Sequence, residues 1–229
     1  MPLWYDFLSL VFPRTCESCG NTLHRHEQCI CNFCNHHLPR TDFHEHPDNP
    51  VAQLFWGRTM LRYATSMFYF HKGSNVQHLV HQLKYKGKQE VGVHLGKLYG
   101  IDLRQSPLFS TVDVVVPVPL HPNRQRKRGY NQSEAFAQGL AHGMGIRMDT
   151  RTLLRKTATS TQTRKSRFLR WENVKEVFVL EQPEKLANLH ILLVDDVVTT
   201  GATLESCVQN LLQCPGATVS IATIACALK

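Results

Sequence analysis

The stretch Ile191-Leu-Leu-Val-Asp-Asp-Val-Val-Thr-Thr-Gly-Ala-Thr203 constrains this chain more than any other. Four consecutive apolar residues, without polar alternation, predict a strand over Ile191 to Val194 that is covered on both faces. Asp195 and Asp196 sit at its carboxyl end, and Thr199, Thr200 and Gly201 turn the chain into a helix from Ala202 to Leu212. Such a unit belongs to an open α/β sheet, where ligands bind beyond the carboxyl ends of the strands. The helix start offers free N–H groups and the positive end of its dipole to an anion. Gly201 admits close backbone approach, and the hydroxyls of Thr199, Thr200 and Thr203 add donors. An anion loop of Val197, Val198, Thr199, Thr200, Gly201, Ala202 and Thr203, beside Asp195 and Asp196 facing hydroxyls, predicts a sugar phosphate ligand. The stretch lacks the Gly-Lys-Ser/Thr ending of a nucleoside triphosphate loop and the three spaced glycines of a dinucleotide fingerprint.

The rest of the chain alternates in the same way. Strand patterns are read at Thr65 to Phe70, Val112 to Val118 and Ala217 to Ala225. Helical patterns are read at Asn75 to Lys84, with Val76, Leu79, Val80 and Leu83 on one face, at Val91 to Tyr99, and at Ser133 to His142. Strands separated by helices imply crossovers, hence an α/β fold with a mostly parallel sheet flanked by helices. At 229 residues there is room for that domain, placed at 51–229, and a small appendage at 1–50. The appendage begins with a helix over Leu3 to Phe12, stopped by Pro13, and ends in a linker at Pro47 to Pro50.

Between Thr15 and Pro50 lie five of the eight cysteines and six of the thirteen histidines, with almost no periodic apolar pattern. A segment of that kind needs a staple. Cys16-Glu-Ser-Cys19 and Cys31-Asn-Phe-Cys34 supply two C-x-x-C pairs, the arrangement with which two tight turns offer four thiolates to a tetrahedral structural Zn²⁺. Cys29, His24, His26, His36 and His37 stand close enough to exchange with one of the four. Cys207, Cys214 and Cys226 fall in patterned segments and read as small buried hydrophobes. A chain with no apolar run near ~18 residues, no basic and apolar leader and unpaired cysteines is expected to be cytoplasmic and not to insert in a membrane.

The formal charge of +8 is concentrated. From His121 to Lys175 there are thirteen Lys/Arg against three Asp/Glu, so the rest of the chain is slightly acidic. A local basic excess implies an anionic partner, either a small phosphate ligand or a nucleic acid, unless it is simply a solvated face. Arg155 to Arg170 is a tract of basic and Ser/Thr residues without an acid. It reads as a lid, with Gln162, Arg164, Lys165 and Arg167 meeting the ligand, or as a single-stranded DNA clamp with Phe168 and Trp171 stacking on bases.

The 191–203 stretch resembles the phosphoribosyl pyrophosphate (PRPP) motif of type I phosphoribosyltransferases. Val115-Val-Pro-Val-Pro-Leu-His-Pro122 followed by Arg128-Gly-Tyr-Asn-Gln132 is similar to the ComF family, also called the GntX type, as are the N-terminal Cys pairs, Lys84-Tyr85, Gln162, Arg167 and Asn173. The resemblance implies PRPP bound with Mg²⁺, and a loop from Pro119 to Arg128 facing the pyrophosphate through Pro119, Leu120, His121, Arg124 and Arg128. It implies an enzyme that transfers phosphoribosyl with release of pyrophosphate. Alternatively, it implies a binding protein on the same fold, handling single-stranded DNA with other DNA-uptake proteins or sensing PRPP. No acceptor and no general base are legible.

Overall fold

The computed structural model describes residues 13–155 and 178–227. The helix read at Leu3 to Phe12, and the tract positions Gln162, Arg164, Lys165, Arg167, Phe168, Trp171 and Asn173, lie outside the described residues.

Five parallel strands form the main sheet: β1 (Ala64–Tyr69), β2 (Val114–Pro117), β3 (Arg147–Met148), β6 (His190–Val198) and β7 (Thr218–Cys226), in the order β1-β7-β6-β2-β3. A separate antiparallel pair, β4 (Leu153–Arg155) and β5 (Phe178–Leu180), lies off the sheet. β6 is central, which explains its unbroken apolar run. Leu192 and Val194 enter one core, with Met67, Leu95 and Phe136, while Ile191 and Leu193 enter the other, with Val51, Val208 and Leu211. The mostly parallel, helix-covered sheet read from the sequence is the architecture observed.

The helices are α1 (Asn32–His37), α2 (Pro50–Gln53), α3 (Asn75–Tyr85), α4 (Gln89–Gln105), α5 (Pro122–Arg128), α6 (Gln132–Met144) and α7 (Ala202–Leu211). In α3, the Ser74 hydroxyl caps the Gln77 N–H, and Val76, Leu79, Val80 and Leu83 are buried as their spacing predicts. α4 runs past Tyr99 because Gly100 does not end the helix. With Gly92 and Gly96 it forms a smooth stripe against Gly139 and Gly143 of α6, where the two backbones touch. A methyl group on Gly96 would strike the Phe136 carbonyl oxygen, and one on Gly139 the Val93 carbonyl oxygen.

Two boundaries that bear on the sheet edge differ from the sequence reading. The strand bearing the acids continues to Val198, since β7 offers ladder partners all the way: Asp195 opposite Thr223, Val197 opposite Ala225 and Val198 opposite Cys226. Val197 and Val198 are therefore strand residues, and the turn proper begins at Thr199. The segment read as a loop from Pro119 to Arg128 contains α5. The His121 ring accepts from the Asn123 N–H at 3.1 Å, Pro122 sits at the first turn, and Gly129 ends the helix at φ +83°.

The cysteine-bearing segment shares its core with the sheet. Leu23, Ile30 and Leu38 belong to the same buried cluster as Met67, Phe68 and Leu79. Lys88 pairs with Glu17 at 2.6 Å, just before α4. At the segment's end Asn49 is buried, caps α2 and donates to the Ala64 carbonyl at 2.8 Å. Among the described residues, no helix is long and apolar enough to cross a membrane.

Candidate ligand site at the sheet edge and a cysteine cluster

The carboxyl edge of β6 brings the two acids together with three other elements. Adjacent residues on a strand point to opposite faces, so the carboxylates find different partners. Asp195 Oδ1 accepts from the Ser133 hydroxyl at 2.7 Å, at the start of α6, and from the Asp196 N–H at 2.8 Å. Asp196 Oδ1 lies 2.9 Å from Lys84 Nζ, in the last turn of α3. Burial, and then the charge of Asp196, push the Asp195 carboxyl up to about 7.

Past Val198 the chain turns through Thr199 and Thr200 to Gly201, whose φ of +76° favours glycine. The first turn of α7 has no side-chain cap, which leaves its N–H groups for a ligand. The hollow here is lined by Asp195, Val197, Val198 and the run from Thr199 to Leu204. A second pocket, of about 330 Å³, adjoins it, with Phe70, Val80, His81, Lys84, Tyr85 and Thr199 among its walls.

The segment read as pyrophosphate-facing lies next along the sheet. Arg128 donates to Gln132 Oε1 at 2.6 Å and stacks over the Tyr85 ring, 5.3 Å from its centroid. The Tyr130 hydroxyl bonds the Leu83 carbonyl, and Asn131 donates to the Val118 carbonyl while capping α6. Leu83, Lys84 and Tyr85 are thus each tied to the site by a different contact. Pro119, Leu120 and His121 are half-buried, and Arg124 is exposed. Arg155, the first residue of the basic tract, ends β4, packs over Phe178 and keeps a buried Nε with no hydrogen-bond partner among the described residues.

Ser133 and Arg58 stand outside every functional motif legible in the sequence, Lys84 enters only through the family resemblance, and Arg155 only as the first residue of the basic tract. Lys84 and Ser133 terminate amphipathic helices, and a polar residue at a helix end reads as solvated or capping until the sheet is assembled.

Cys16, Cys19, Cys31 and Cys34 converge, with all four sulfurs within 4.8 Å of one another, so they can hold a metal ion. The Ser18 and Cys31 N–H groups point at Cys16 Sγ, at 3.4 and 3.2 Å, and the Cys34 N–H points at Cys31 Sγ at 3.4 Å. Cys29 stands apart. Its thiol faces the Glu90 carbonyl, and burial, followed by the charges of Glu90 and Glu17, pushes it up to about 12. His26 bonds Asn32, and His37 bonds the Phe33 carbonyl. Cys207, Cys214 and Cys226 are buried in the second core, as their pattern predicts.

Residues 130–228 match the phosphoribosyl transferase domain family. The chain is 41% identical over 146 residues to the DNA utilization protein YhgH of Salmonella typhimurium, covering 62% of this chain and 63% of that one. It is 30% identical over 131 residues to competence protein F of Haemophilus influenzae, covering 56% and 57%. It therefore spans less than two thirds of the curated relatives it matches. Among solved structures, glutamine PRPP amidotransferase from B. subtilis aligns over 62% of this chain and 30% of its own, with TM-score 0.42 and 20% identity.

Proposed function

We propose, for a chain that belongs to the ComF family and has the phosphoribosyltransferase-like fold, that it binds PRPP at the carboxyl edge of β6 and transfers the phosphoribosyl group to an acceptor. The observation carrying this reading is the convergence, on one strand edge, of an uncapped helix start and a carboxylate pair. They differ in environment: Asp195 is held by a hydroxyl and Asp196 by an ammonium. The 5′-phosphate would sit on the Thr199 to Thr203 turn, with ribose hydroxyls donating to Asp195 and Asp196. The pyrophosphate would lie toward Arg128, with Arg124 and Arg155 within reach of its charge.

In the reaction, the bond from the anomeric carbon to pyrophosphate breaks, and a bond to the acceptor forms at that carbon. The transition state resembles an oxocarbenium ion, so the protein's work is positioning and charge stabilisation. The pocket between Phe70, Val80 and Tyr85 adjoins the site and is where the acceptor would lie. Magnesium bound to the ligand's pyrophosphate would neutralise the leaving group. Asp195 and Asp196 face different partners and do not form a cation cage of their own. In the cysteine cluster we assign Zn²⁺: thiolates ~2.3 Å from a tetrahedral zinc stand about 3.8 Å apart, and Cys19 Sγ and Cys31 Sγ are 3.8 Å apart.

The test is calorimetric titration with Mg²⁺ and PRPP, followed by a screen of nitrogen acceptors for pyrophosphate release. Unchanged PRPP affinity after joint Asp195→Asn and Asp196→Asn substitution would reject the site.

A second reading is favoured by α5, which carries Arg124, Arg126, Lys127 and Arg128 on seven residues without one buried side chain. Together with the names of the relatives, it supports a PRPP-binding protein that handles single-stranded DNA during uptake. Turnover separates the two.

A further inference from the structure

The phosphate turn has a back wall contributed from 142 residues away in sequence. The chain between α2 and β1 folds under it. Phe55 lies so close to Gly201 that a Cβ there would sit 2.9 Å from the ring. Arg58 Nη1 donates to the Thr200 carbonyl and to the Leu54 carbonyl, both at 2.9 Å, and Arg58 Nη2 pairs with Glu205 Oε2.

Two of these contacts, those to Thr200 and Glu205, bear on an anion. The peptide joining Thr200 and Gly201 is planar and trans, so its C=O and N–H point in opposite directions. Holding the carbonyl on the Arg58 side directs the Gly201 N–H away from it. Glu205 lies in the first turn of α7. An acid there stabilises the empty helix start through the dipole but repels an incoming phosphate, from within about one 5.4 Å turn. A cation on Glu205 cancels that repulsion while leaving the helix N–H groups open.

We infer that Arg58 is the positioning residue of the phosphate turn: it fixes the Thr200–Gly201 peptide with its N–H toward the ligand and neutralises Glu205 so that a dianionic phosphate monoester can bind there. The inference rests on the PRPP reading and extends it to a residue outside the segment matching the transferase family.

The experiment measures affinities of the full chain for ribose 5-phosphate, PRPP and inorganic pyrophosphate, in wild type, Arg58→Gln, Glu205→Gln and the double variant. Arg58→Gln is expected to weaken ribose 5-phosphate and PRPP about tenfold, the effect of losing one charge-assisted contact, with pyrophosphate unchanged. The double variant should recover the part of the loss that comes from the uncompensated carboxylate, and the remainder measures the unfixed Thr200–Gly201 peptide. Equal ribose 5-phosphate affinity in wild type and Arg58→Gln overturns the inference, as does a loss shared equally by pyrophosphate or one of which the double variant recovers no part. If wild type binds neither sugar phosphate, the PRPP reading fails. Amide hydrogen exchange at Thr200 to Thr203 in the ligand-free proteins then still decides whether Arg58 orders the turn: faster exchange in Arg58→Gln upholds that role, and unchanged exchange refutes it.

Discussion

Lys84 Nζ stands 2.9 Å from Asp196 Oδ1, so one of two adjacent carboxylates carries its own cation, supplied by the end of a helix packed across the sheet. Both side chains are mostly shielded, at 21% and 13% exposure, which makes the pair stronger than a surface ion pair and costly to break from one side.

Lys84→Met should leave Asp195 and Asp196 with no ammonium between them and an anionic ligand. PRPP affinity is expected to fall about tenfold, and unfolding stability by about 2 kcal/mol. Titration calorimetry and urea denaturation read the two effects on one preparation.

The crossing of α4 and α6 predicts a stability effect with no chemistry in it. Gly96→Ala and Gly139→Ala each place a methyl group against a backbone carbonyl of the facing helix, and should cost about 3 kcal/mol. Gly92→Ala meets the flexible Leu83 side chain at 3.0 Å, the Ala135 Cβ at 3.1 Å and the Phe136 backbone nitrogen at 3.3 Å, all longer than the closest approaches at Gly96 and Gly139, and should cost less. Denaturation midpoints for the three variants give the order.

His190 makes stability depend on pH. Its ring is buried between Thr111 Oγ1 at 2.9 Å and Ser220 Oγ at 2.8 Å, and burial, then the charge of Arg62, lowers it to about 4. The unfolded chain takes up that proton near pH 6.5. Stability from this group is complete above pH 6.5 and declines as pH falls toward 4, by up to about 3 kcal/mol. Urea midpoints across that range should show the decline in wild type and a flatter profile in His190→Gln.

If four thiolates hold zinc, one equivalent should co-purify, and Cys16→Ser with Cys34→Ser should lose it. Leu23, Ile30 and Leu38 share a core with Met67 and Phe68, so chelation should lower the melting temperature of the sheet domain as well as unfold the cysteine segment. Metal analysis and near-UV circular dichroism with and without chelator check both.

The sheet was legible because periodicity is local: Val76, Leu79, Val80 and Leu83 declare their face within one helix. The acids and the Thr-Thr-Gly turn were legible because a buried strand, a glycine turn and a helix start follow one another without a gap. Arg58 was not legible, since its meaning depends on a carbonyl 142 residues away. The end of α4 was misread because a glycine at a helix end and a glycine at a helix crossing look alike in sequence; only the matching stripe at Gly139 and Gly143 separates them. α5 was read as a loop because seven residues without an apolar stripe carry no helical period, although Pro122 and Gly129 marked its two ends.

Since α5 buries none of its side chains, its cations would, in the proposed reading, contribute to binding without contributing to the core. The basic cluster is a separable part: Arg124, Arg126 and Lys127 can be exchanged together while the sheet beneath keeps its shape. In the proposed reading, the strength with which the chain holds an anion can therefore change without a change in the stability of its core.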